Sequence, residues 1–330
     1  MKTAVDFELN PEVRRQPDQS ALHNPAACPV CGQIETTPWL SGHDYFHGRA
    51  ENYSLVRCTN CSLVWLQNPP LPAEMDRHYT DAYHRLISAA GDAHSRWAFR
   101  KEALEPHKQS GSLLDLGCSS GAFLSFMRGD AWKLYGIEMS HENARLAEQR
   151  SHAQIFVGDI LEAPFPQNSF DVITCFDVLE HVYQPRQVIE RVSHWLKPGG
   201  LFYVLVPNID SAEARVFGRY WHGLELPRHL SHFSPASLTF LANSVGLQTA
   251  SLETHRNPAV GTSLRYVGDD MFAAIGIRRT PVAYRSEPGI AWRAARKVVR
   301  MTLLRMLLAM APVAGQGESI HAIFQKAPSA

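Results

Sequence analysis

Short apolar runs and polar, helix-forming stretches alternate through the middle of the chain. The apolar runs have the length and the β-branched and aromatic content of buried strands. They predict strands at 113–116, 134–140, 155–160, 170–176 and 201–207. The stretches between them predict helices at 123–128, 142–150 and 185–196. Strands that alternate with helices are typical of an α/β fold with a parallel sheet.

A glycine-bracketed turn joins the first strand to the first helix. Asp115 closes the strand, and Gly117 and Gly121 follow it in a Gly-x-x-x-Gly spacing. Glycine suits a turn that needs a positive φ or a close backbone approach, and the N–H groups at the start of the helix then face a ligand. The spacing differs from the Gly-x-Gly-x-x-Gly of dinucleotide sites and lacks the Lys-Ser/Thr of a phosphate-binding loop. A nucleoside ligand without a pyrophosphate remains.

Acidic residues close the next two strands. Glu138 follows Gly117 by about 20 residues, where an acid binds the ribose hydroxyls in nucleoside-binding βαβ units. Asp159 lies at the tip of the third strand. The order of these residues after Asp115, Gly117 and Gly121 resembles the motifs of class I S-adenosylmethionine (SAM) methyltransferases.

The resemblance implies a SAM cofactor and a role for each matching residue. Asp115, Gly117 and Gly121 would form the turn on the methionine side. Glu138 would bind ribose, and Asp159 with Ile160 would bind adenine. Further positions that the resemblance places along the cofactor are Cys118, Ser119, Phe123, Met139, Phe176 and Asp177.

Two Cys-x-x-Cys knuckles lie near the N-terminus, formed by Cys28 with Cys31 and by Cys58 with Cys61. Their separation matches a four-thiolate zinc ribbon, in which each knuckle gives two thiolates to a tetrahedral ion. Because four thiolates leave no open position, the predicted zinc is structural rather than catalytic. So short a segment depends on the ion to fold. A pair of redox thiols is the alternative.

A connector follows the second knuckle. It predicts a helix over 74–83, with Tyr79 and Tyr83 on one face, and a helix over 94–107. The knuckles, an Asn-Pro-Pro step and a tyrosine-rich helix ahead of a SAM fold resemble a group of bacterial small-molecule methyltransferases. In that group the tyrosine-rich segment covers the cofactor, which places Tyr79 or Tyr83 on SAM. Core aromatic residues are the alternative.

The C-terminal part predicts a helix from Pro235 to Leu241, with Ser234 as its N-cap, and strands at 247–255 and 319–324. The resemblance implies that the last strand lies antiparallel between the fifth and sixth. The predicted fold class is therefore α/β, with a seven-stranded Rossmann-like methyltransferase sheet, a small N-terminal zinc ribbon and a helical C-terminal insertion.

The same patterns divide the chain into units. These are a flexible tail at 1–24, a zinc-ribbon-like domain at 25–68, a helical connector at 69–108, a SAM-binding core at 109–256, a helical insertion at 257–318, and the last core strand with a tail at 319–330.

The insertion at 257–318 is longer than an ordinary hairpin loop. Apolar residues recur at helical spacing within 291–311, and most of the Arg and Lys residues there fall elsewhere on the helix. A basic amphipathic helix can rest on a membrane surface. A lid over the substrate, a dimer contact and packing on its own core are the alternatives, and the oligomeric state stays open.

Charge and cysteine usage limit the classes of partner and compartment. Lys and Arg total 32 and Asp and Glu total 32, so no net field favours nucleic acid or an anionic membrane. The first residues lack the apolar run of a secretory signal, and no apolar stretch reaches the roughly 20 residues of a membrane span. Six cysteines without such a signal indicate reduced thiols or metal ligands, and a cytoplasmic location.

Histidines supply the candidate base, because methyl transfer to oxygen or a ring nitrogen usually needs one. His181 follows the fourth strand at the carboxyl edge, where this fold places its substrate. His229 and His232 follow the fifth strand and are three residues apart, as on one face of a helical turn, and His222 lies in the same stretch. The predicted catalytic residues are His181, His229 and His232.

The segment that contains His181 has a second interpretation. Asp177, Glu180 and His181 resemble the acidic-histidine cluster with which some quinone-pathway O-methyltransferases bind a divalent ion. More commonly in this fold the same segment lines the cofactor and substrate pocket. The unpaired cysteines Cys118 and Cys175 are expected to be small buried apolar residues.

The predicted function is methyl transfer from SAM to a small molecule, with O-methylation of a natural-product, sugar or quinone-type substrate favoured. One alternative is an RNA methyltransferase guided by the zinc ribbon, which would want a basic face with interleaved aromatics. The ribbon instead mixes Glu35, Asp44 and Glu51 with Arg49 and Arg57. The other alternative is a non-catalytic SAM-binding scaffold.

Overall fold

The structure is a computed structural model and describes residues 27–83, 93–129, 131–256, 260–277, 280–284 and 317–328. The predicted flexible tail at 1–24 and the predicted amphipathic helix at 291–311 lie outside these ranges. Within them, no helix combines the length and the hydropathy that crossing a membrane requires.

The described residues form eleven strands and eight α-helices, with short 3-10 turns between them. The strands are β1 (Thr36–Asp44), β2 (Arg49–Cys58), β3 (Val64–Leu66), β4 (Gly111–Leu116), β5 (Trp132–Glu138), β6 (Gln154–Val157), β7 (Phe170–Phe176), β8 (Leu196–Pro207), β9 (Ser231–His232), β10 (Leu247–His255) and β11 (Ser319–Lys326). The helices are α1 (Pro72–Met75), α2 (Ala93–Leu104), α3 (Ala122–Met127), α4 (His141–Ser151), α5 (Pro185–Trp195), α6 (Ala212–Phe217), α7 (Pro235–Ser244) and α8 (Val260–Ala274).

Seven strands form one sheet in the order β10-β11-β8-β7-β4-β5-β6. The strands from β8 to β6 are parallel, and β11 lies antiparallel between β8 and β10. The predicted seven-stranded Rossmann-like sheet, with its reversed strand between the fifth and sixth, is confirmed. In such a sheet the carboxyl ends of the parallel strands meet at one edge, and ligands bind there.

Helices cover both faces of this sheet, which is why its central strands are apolar on both sides. On one face α5 and α7 bury Trp195 and Leu241 against Phe202 and Phe324. On the other face α2, α3 and α4 share a second apolar cluster. The predicted start of α7 is confirmed, because the Ser234 hydroxyl accepts the Ser237 N–H at 3.2 Å and Pro235 is the first helical residue.

The N-terminal strands form a second sheet, in the order β1-β2-β3-β9. Its last strand comes from the part of the chain that follows β8, and its residues Ser231 and His232 pair with Trp65 and Val64. The knuckle residue Val30 is fully buried in the same apolar cluster as Trp195. The ribbon is therefore completed by, and packed on, the larger domain.

The predicted helix over 74–83 is wrong. Helix α1 ends at Met75 and continues as a 3-10 turn over Asp76–His78, after which Tyr79 leaves helical geometry at φ −103° and ψ 66°. The cause is tertiary: the fully buried His78 bonds the Asp44 carboxylate on β1, and this contact fixes the turn. Tyr79 and Tyr83 still lie together, as an edge-to-face pair 5.5 Å apart.

Strand β8 begins at Leu196, the last residue of the predicted helix at 185–196 and five residues before the predicted strand at 201–207. Its first residue already pairs with Phe170 of β7, and the register then shifts before Leu201 pairs with Val172. Gly199 has a φ of +73°, which accommodates this irregularity.

Gly121 offers a test of the packing beneath the predicted cofactor turn. Its φ is +73°, and a Cβ there would lie 2.6 Å from Cα of Ala147 on α4. We expect Gly121→Ala to lower the free energy of unfolding by about 2 kcal/mol, because left-handed strain and a backbone clash add. Urea denaturation measures this.

Gly129→Ala is the matched control, since a Cβ at Gly129 would have no atom within 4 Å. It should change the free energy of unfolding by less than about 0.5 kcal/mol. Equal effects of the two variants would contradict the packing argument.

Candidate functional site

The glycine turn after β4 is built as a cradle. Gly117 and Gly121 have φ values of +65° and +73°. A Cβ on Gly117 would lie 2.6 Å from Val178 Cγ2, so the turn packs directly on the loop after β7. Side chains larger than hydrogen are excluded at both glycines, and the N–H groups of Cys118 and Gly121 donate to the carbonyl oxygens of Ile137 and Cys118, which fixes the shape of the turn.

The Glu138 carboxylate lies at the end of β5, next to this turn. Its Oε2 accepts the N–H of Ser119 at 2.9 Å, and its Oε1 accepts the N–H of Ser140 at 2.9 Å. Two backbone donors therefore fix an acceptor-only group at the position where the resemblance puts a ribose diol. Met139, the next residue, is 72% exposed, so its side chain is accessible to a ligand.

Asp159 and Ile160 lie beyond the end of β6. Asp159 is the N-cap of a 3-10 turn, and its Oδ1 accepts the Leu161 N–H at 2.7 Å. Ile160 is buried to 8% exposure. The pair offers one carboxylate and one apolar contact, as binding an adenine ring requires.

Asp115 is buried beneath the glycine turn. Its Oδ1 accepts the Thr174 hydroxyl at 2.7 Å. Burial raises the pKa of Asp115 to about 7, against the lowering effects of the Thr174 hydrogen bond and the Arg100 charge. A buried carboxylate whose pKa lies near neutral pH is costly to ionise. A ligand that brings a positive charge, such as an ammonium group, lowers that cost.

Arg100 on α2 also lies at the carboxyl edge of the large sheet, although the sequence did not predict it there. The residue is 4% exposed, and its guanidinium lies 4.3 Å from the centroid of the Phe176 ring and 4.7 Å from that of Trp97. Its Nη2 donates to Asp177 at 3.2 Å, and its buried Nε has no hydrogen-bond partner among the described residues. A single arginine in a polar helix carries no sequence signal of such a placement.

Aromatic and thiol side chains close the floor of the site. The Phe123 ring packs edge-on against Phe176 at 5.1 Å, and Phe176 packs against Tyr203 at 4.9 Å. Cys118 and Cys175 are buried, as expected, with 5% and 0% exposure. Asp177 has a φ of +58° and a half-exposed side chain, which leaves it at the mouth.

His181 ends a 3-10 turn that follows β7. Its Nδ1 lies 3.0 Å from the carbonyl oxygen of Arg228 and 2.9 Å from the hydroxyl oxygen of Tyr79. Because a carbonyl only accepts, Nδ1 carries the proton, and Nε2 of the neutral ring is the basic nitrogen. Burial and the neighbouring His229 lower the pKa of His181 to about 3, so the ring stays neutral at physiological pH.

His229 uses both of its ring nitrogens. Nδ1 lies 2.9 Å from the carbonyl oxygen of Gly223, and Nε2 lies 3.1 Å from Oε2 of Glu225. The geometry leaves this ring no nitrogen with which to take a proton from a substrate. His229 and His232 are also not on one helical face, because His229 lies in a turn and His232 in strand β9.

His232 and His222 are held within the protein. His232 is 3% exposed, and its Nε2 contacts the carbonyl oxygen of Leu224 at 3.0 Å. His222 lies 3.4 Å from the buried Glu213 carboxylate. Of the four histidines that the sequence selects, only His181 combines a fixed tautomer with a position in the loop after β7.

The metal-ion interpretation of this segment does not fit the donor set. Ligand atoms of Glu180, His181 and His229 lie within 4.8 Å of one another. However, Asp177 is paired with Arg100, and both nitrogens of His229 are already engaged. A divalent metal ion is therefore not assigned to this segment.

A second buried cluster surrounds Asp44, which the sequence analysis did not select. Its Oδ2 accepts from Nδ1 of His47 at 2.9 Å and from Nδ1 of His78 at 3.1 Å. Arg228 Nη1 lies 3.5 Å from the same oxygen. The guanidinium already balances this carboxylate, so the cluster is a hydrogen-bonded hub between β1 and the 223–232 segment.

The four cysteines of the knuckles converge. Sγ of Cys28 lies 3.5 Å from that of Cys61, Cys31 and Cys58 are equally close, and all four sulfurs lie within 4.8 Å of one another. Tetrahedral zinc with bonds of about 2.3 Å requires sulfurs about 3.8 Å apart. The hydrogen bond from Cys61 lowers the pKa of Cys28 to about 6, which favours a thiolate. These residues fit a structural zinc ion.

Comparison with known proteins agrees with this geometry. A family described as a methyltransferase domain matches residues 83–252, just over half of the chain. A ubiquinone biosynthesis O-methyltransferase of Paraburkholderia phymatum is 30% identical over 160 residues, which cover 44% of this chain and 68% of the relative. The enzyme of the same name from Thiobacillus denitrificans is 29% identical over 170 residues, which cover 48% of this chain and 71% of that relative.

A solved structure extends the comparison to the fold. A SAM-dependent methyltransferase of Archaeoglobus fulgidus superposes with a TM-score of 0.51 at 14% identity, over 74% of this chain and all of that chain. The seven-stranded sheet, the glycine turn after β4 and the sequence relatives all indicate the same family. The chain belongs to the class I SAM-dependent methyltransferases.

Proposed function

We propose that this protein is an O-methyltransferase, which transfers the methyl group of SAM to a hydroxyl of a natural-product, sugar or quinone-type acceptor. The observation that carries the proposal is His181, whose tautomer is fixed with Nε2 as the basic nitrogen in the loop after β7. Transfer to a hydroxyl requires removal of a proton, for which a positioned neutral imidazole is suited. The two sequence relatives named as O-methyltransferases support the same reaction.

The cofactor contacts follow from chemical complementarity. The Asp115 carboxylate suits the ammonium of the methionine moiety, and the Arg100 guanidinium with its unpartnered Nε suits the carboxylate. Glu138 accepts from the ribose hydroxyls, and Asp159 with Ile160 holds adenine. When bound, SAM supplies a methyl group activated on a sulfonium, so the protein must align the acceptor and exclude water.

His181 then acts on the acceptor hydroxyl. Its Nε2 would take the hydroxyl proton and so make the oxygen nucleophilic; bound SAM would supply the methyl group, with the methyl carbon–sulfur bond breaking and S-adenosylhomocysteine leaving. Burial and the neighbouring His229 keep the His181 ring neutral, so the lone pair of Nε2 is available to a proton. His229 and His232 are not assigned this role. Tyr79 contacts His181 through its hydroxyl, and contact of Tyr79 with SAM remains a prediction.

The zinc ribbon is assigned a structural role in this proposal, with Cys28, Cys31, Cys58 and Cys61 as ligands. Contact of 291–311 with a membrane surface, the absence of a nucleic-acid partner and a cytoplasmic location stay predictions.

Cofactor binding is tested first, by calorimetric titration with SAM and S-adenosylhomocysteine. Glu138→Gln should weaken SAM binding about 10- to 100-fold, because a charged acceptor is lost from the ribose diol. Glu142→Gln, on the exposed first turn of α4, is the control and should bind as the wild type does. Wild-type affinity in Glu138→Gln would contradict the assigned cofactor site.

The base is tested with an acceptor screen over phenols, dihydroxybenzoates and monosaccharides, read as formation of S-adenosylhomocysteine. His181→Ala should lower the rate about 100-fold while the Kd for SAM is unchanged, since the base acts only on the acceptor. His107→Ala, at an exposed position after α2, is the matched control. An undiminished rate in His181→Ala would refute the assignment.

Metal content tests the ribbon. We expect about one zinc per purified chain and loss of that zinc in Cys58→Ser, because a tetrahedral site loses one of its four thiolates. Cys175→Ala removes a buried thiol outside the knuckles and should retain the metal. Elemental analysis measures both, and a metal-free wild-type chain would argue for the redox alternative.

A further inference from the structure

A buried row of alternating charges links the ribbon sheet to the loop after β7. The Asp44 carboxylate lies 3.5 Å from Arg228 Nη1, and Arg228 Nε lies 3.4 Å from Glu225 Oε1. The other oxygen of Glu225 lies 3.1 Å from His229 Nε2, and the His229 ring packs edge-on against His181 at 4.6 Å. The row therefore ends against the residue that we assign as the base.

The protonation of His229 follows from its two partners. Nδ1 faces a carbonyl oxygen, which only accepts, and Nε2 faces a carboxylate. A neutral imidazole can donate through one nitrogen only, so both contacts are satisfied by the imidazolium. Burial disfavours the charge, but the Glu225 carboxylate outweighs burial and raises the pKa of His229.

The groups around His229 and His181 agree with this charge. Burial raises the pKa of Glu180 to about 8, so that neighbour is protonated at neutral pH. Burial and the charge of His229 lower the pKa of His232 to about 3. Arg228, which supplies the carbonyl oxygen that fixes Nδ1–H of His181, is cationic and bonds Glu225 through its own side chain.

The backbone of Glu225 is a second, independent sign. Its φ and ψ are 41° and 44°, a left-handed conformation that side chains with a Cβ adopt at a cost. Glycine would relieve the strain, yet the position carries the one carboxylate that touches both Arg228 and His229. Strain of this kind persists where the side chain is needed for function.

We propose that Glu225 is a positioning residue: it holds His229 as an imidazolium, and the charge of that ring keeps the adjacent His181 neutral, while the carbonyl oxygen of Arg228 sets the His181 proton on Nδ1. The catalytic consequence rests on the proposed function, because it assumes that His181 is the base. The protonation states themselves do not depend on it. Deleting the carboxylate removes the anionic partner of His229 and leaves Asp44 as the carboxylate partner of Arg228 among the described residues.

The test is nuclear magnetic resonance of the full chain labelled with 15N in the histidine rings, with His181 and His229 assigned through His181→Asn and His229→Asn. We expect both nitrogens of His229 to show imidazolium shifts from about pH 6 to pH 8, where an ordinary histidine titrates. His181 should show a neutral ring protonated on Nδ1. A neutral His229 at pH 7, or a His181 protonated on Nε2, would overturn the proposal.

Variants locate the cause. In Glu225→Gln, His229 should lose its imidazolium signature at pH 7, and Glu225→Asp, which keeps the charge, should restore it in part. Glu213→Gln removes another buried carboxylate, one that contacts Ser263 and His222, and should leave His229 unchanged. An unchanged His229 in Glu225→Gln, or an equal change in Glu213→Gln, would refute the role. The wild-type spectrum decides the assignment even where a variant does not fold.

Kinetics connect the assignment to catalysis. With an acceptor from the screen, Glu225→Gln should move the acidic limb of the kcat–pH profile to higher pH at an unchanged Kd for SAM, because loss of the His229 charge raises the pKa of His181, and Glu225→Asp should reverse part of that shift. The two proposals fail separately. Absence of SAM binding refutes the proposed function and leaves the spectra to stand, whereas a neutral His229 in a protein that binds SAM refutes only the role of Glu225.

Discussion

The burial of the Arg228 guanidinium, which is 1% exposed, constrains how the ribbon packs against the 223–232 segment. A charge removed from water costs several kcal/mol unless anions and hydrogen bonds compensate it. Asp44 and Glu225 supply the anions from opposite sides. The rings of Phe46 and Tyr83 cover the cation at 5.3 and 4.7 Å. Moving the ribbon sheet relative to the 223–232 segment would separate Arg228 from Asp44.

This constraint explains why the zinc ribbon is part of the site rather than an appended module. Strand β9 completes the ribbon sheet immediately after Arg228 and His229, and the Leu66 N–H donates to the Leu230 carbonyl at 2.9 Å. The knuckle that begins at Cys58 is followed by β3, which carries these pairings. The second cysteine knuckle, the strand pairing and the charged row are thus linked through a few consecutive residues.

Carboxylates at the two ends of the site have opposite tendencies. Burial raises the pKa of Asp115 towards neutrality, with Arg100 only partly offsetting it. Burial also acts on Glu225, but His229 and Arg228 outweigh it and lower its pKa. A carboxylate that is costly to ionise suits a cationic ligand, and one that is firmly ionised suits a fixed structural partner. The charge of Asp115 is therefore only partly compensated within the protein, whereas the charge of Glu225 is compensated by Arg228 and His229.

The sequence by itself determined the sheet and its cofactor edge. Gly117, Gly121, Glu138 and Asp159 are recognisable because they stand directly after apolar strands, and parallel strands bring such positions together whatever the side-chain details. The four cysteines were recognisable by spacing alone. Tertiary structure decided what local pattern does not encode: the end of α1 at Met75, the arrival of Arg100 over Phe176, and the division of roles among the histidines. His181, His229 and His232 look equivalent along the chain. They differ because the carbonyl oxygen of Arg228 reaches His181 from another part of the chain, whereas folding of the 223–232 segment engages His229 with Glu225 and His232 with Leu224.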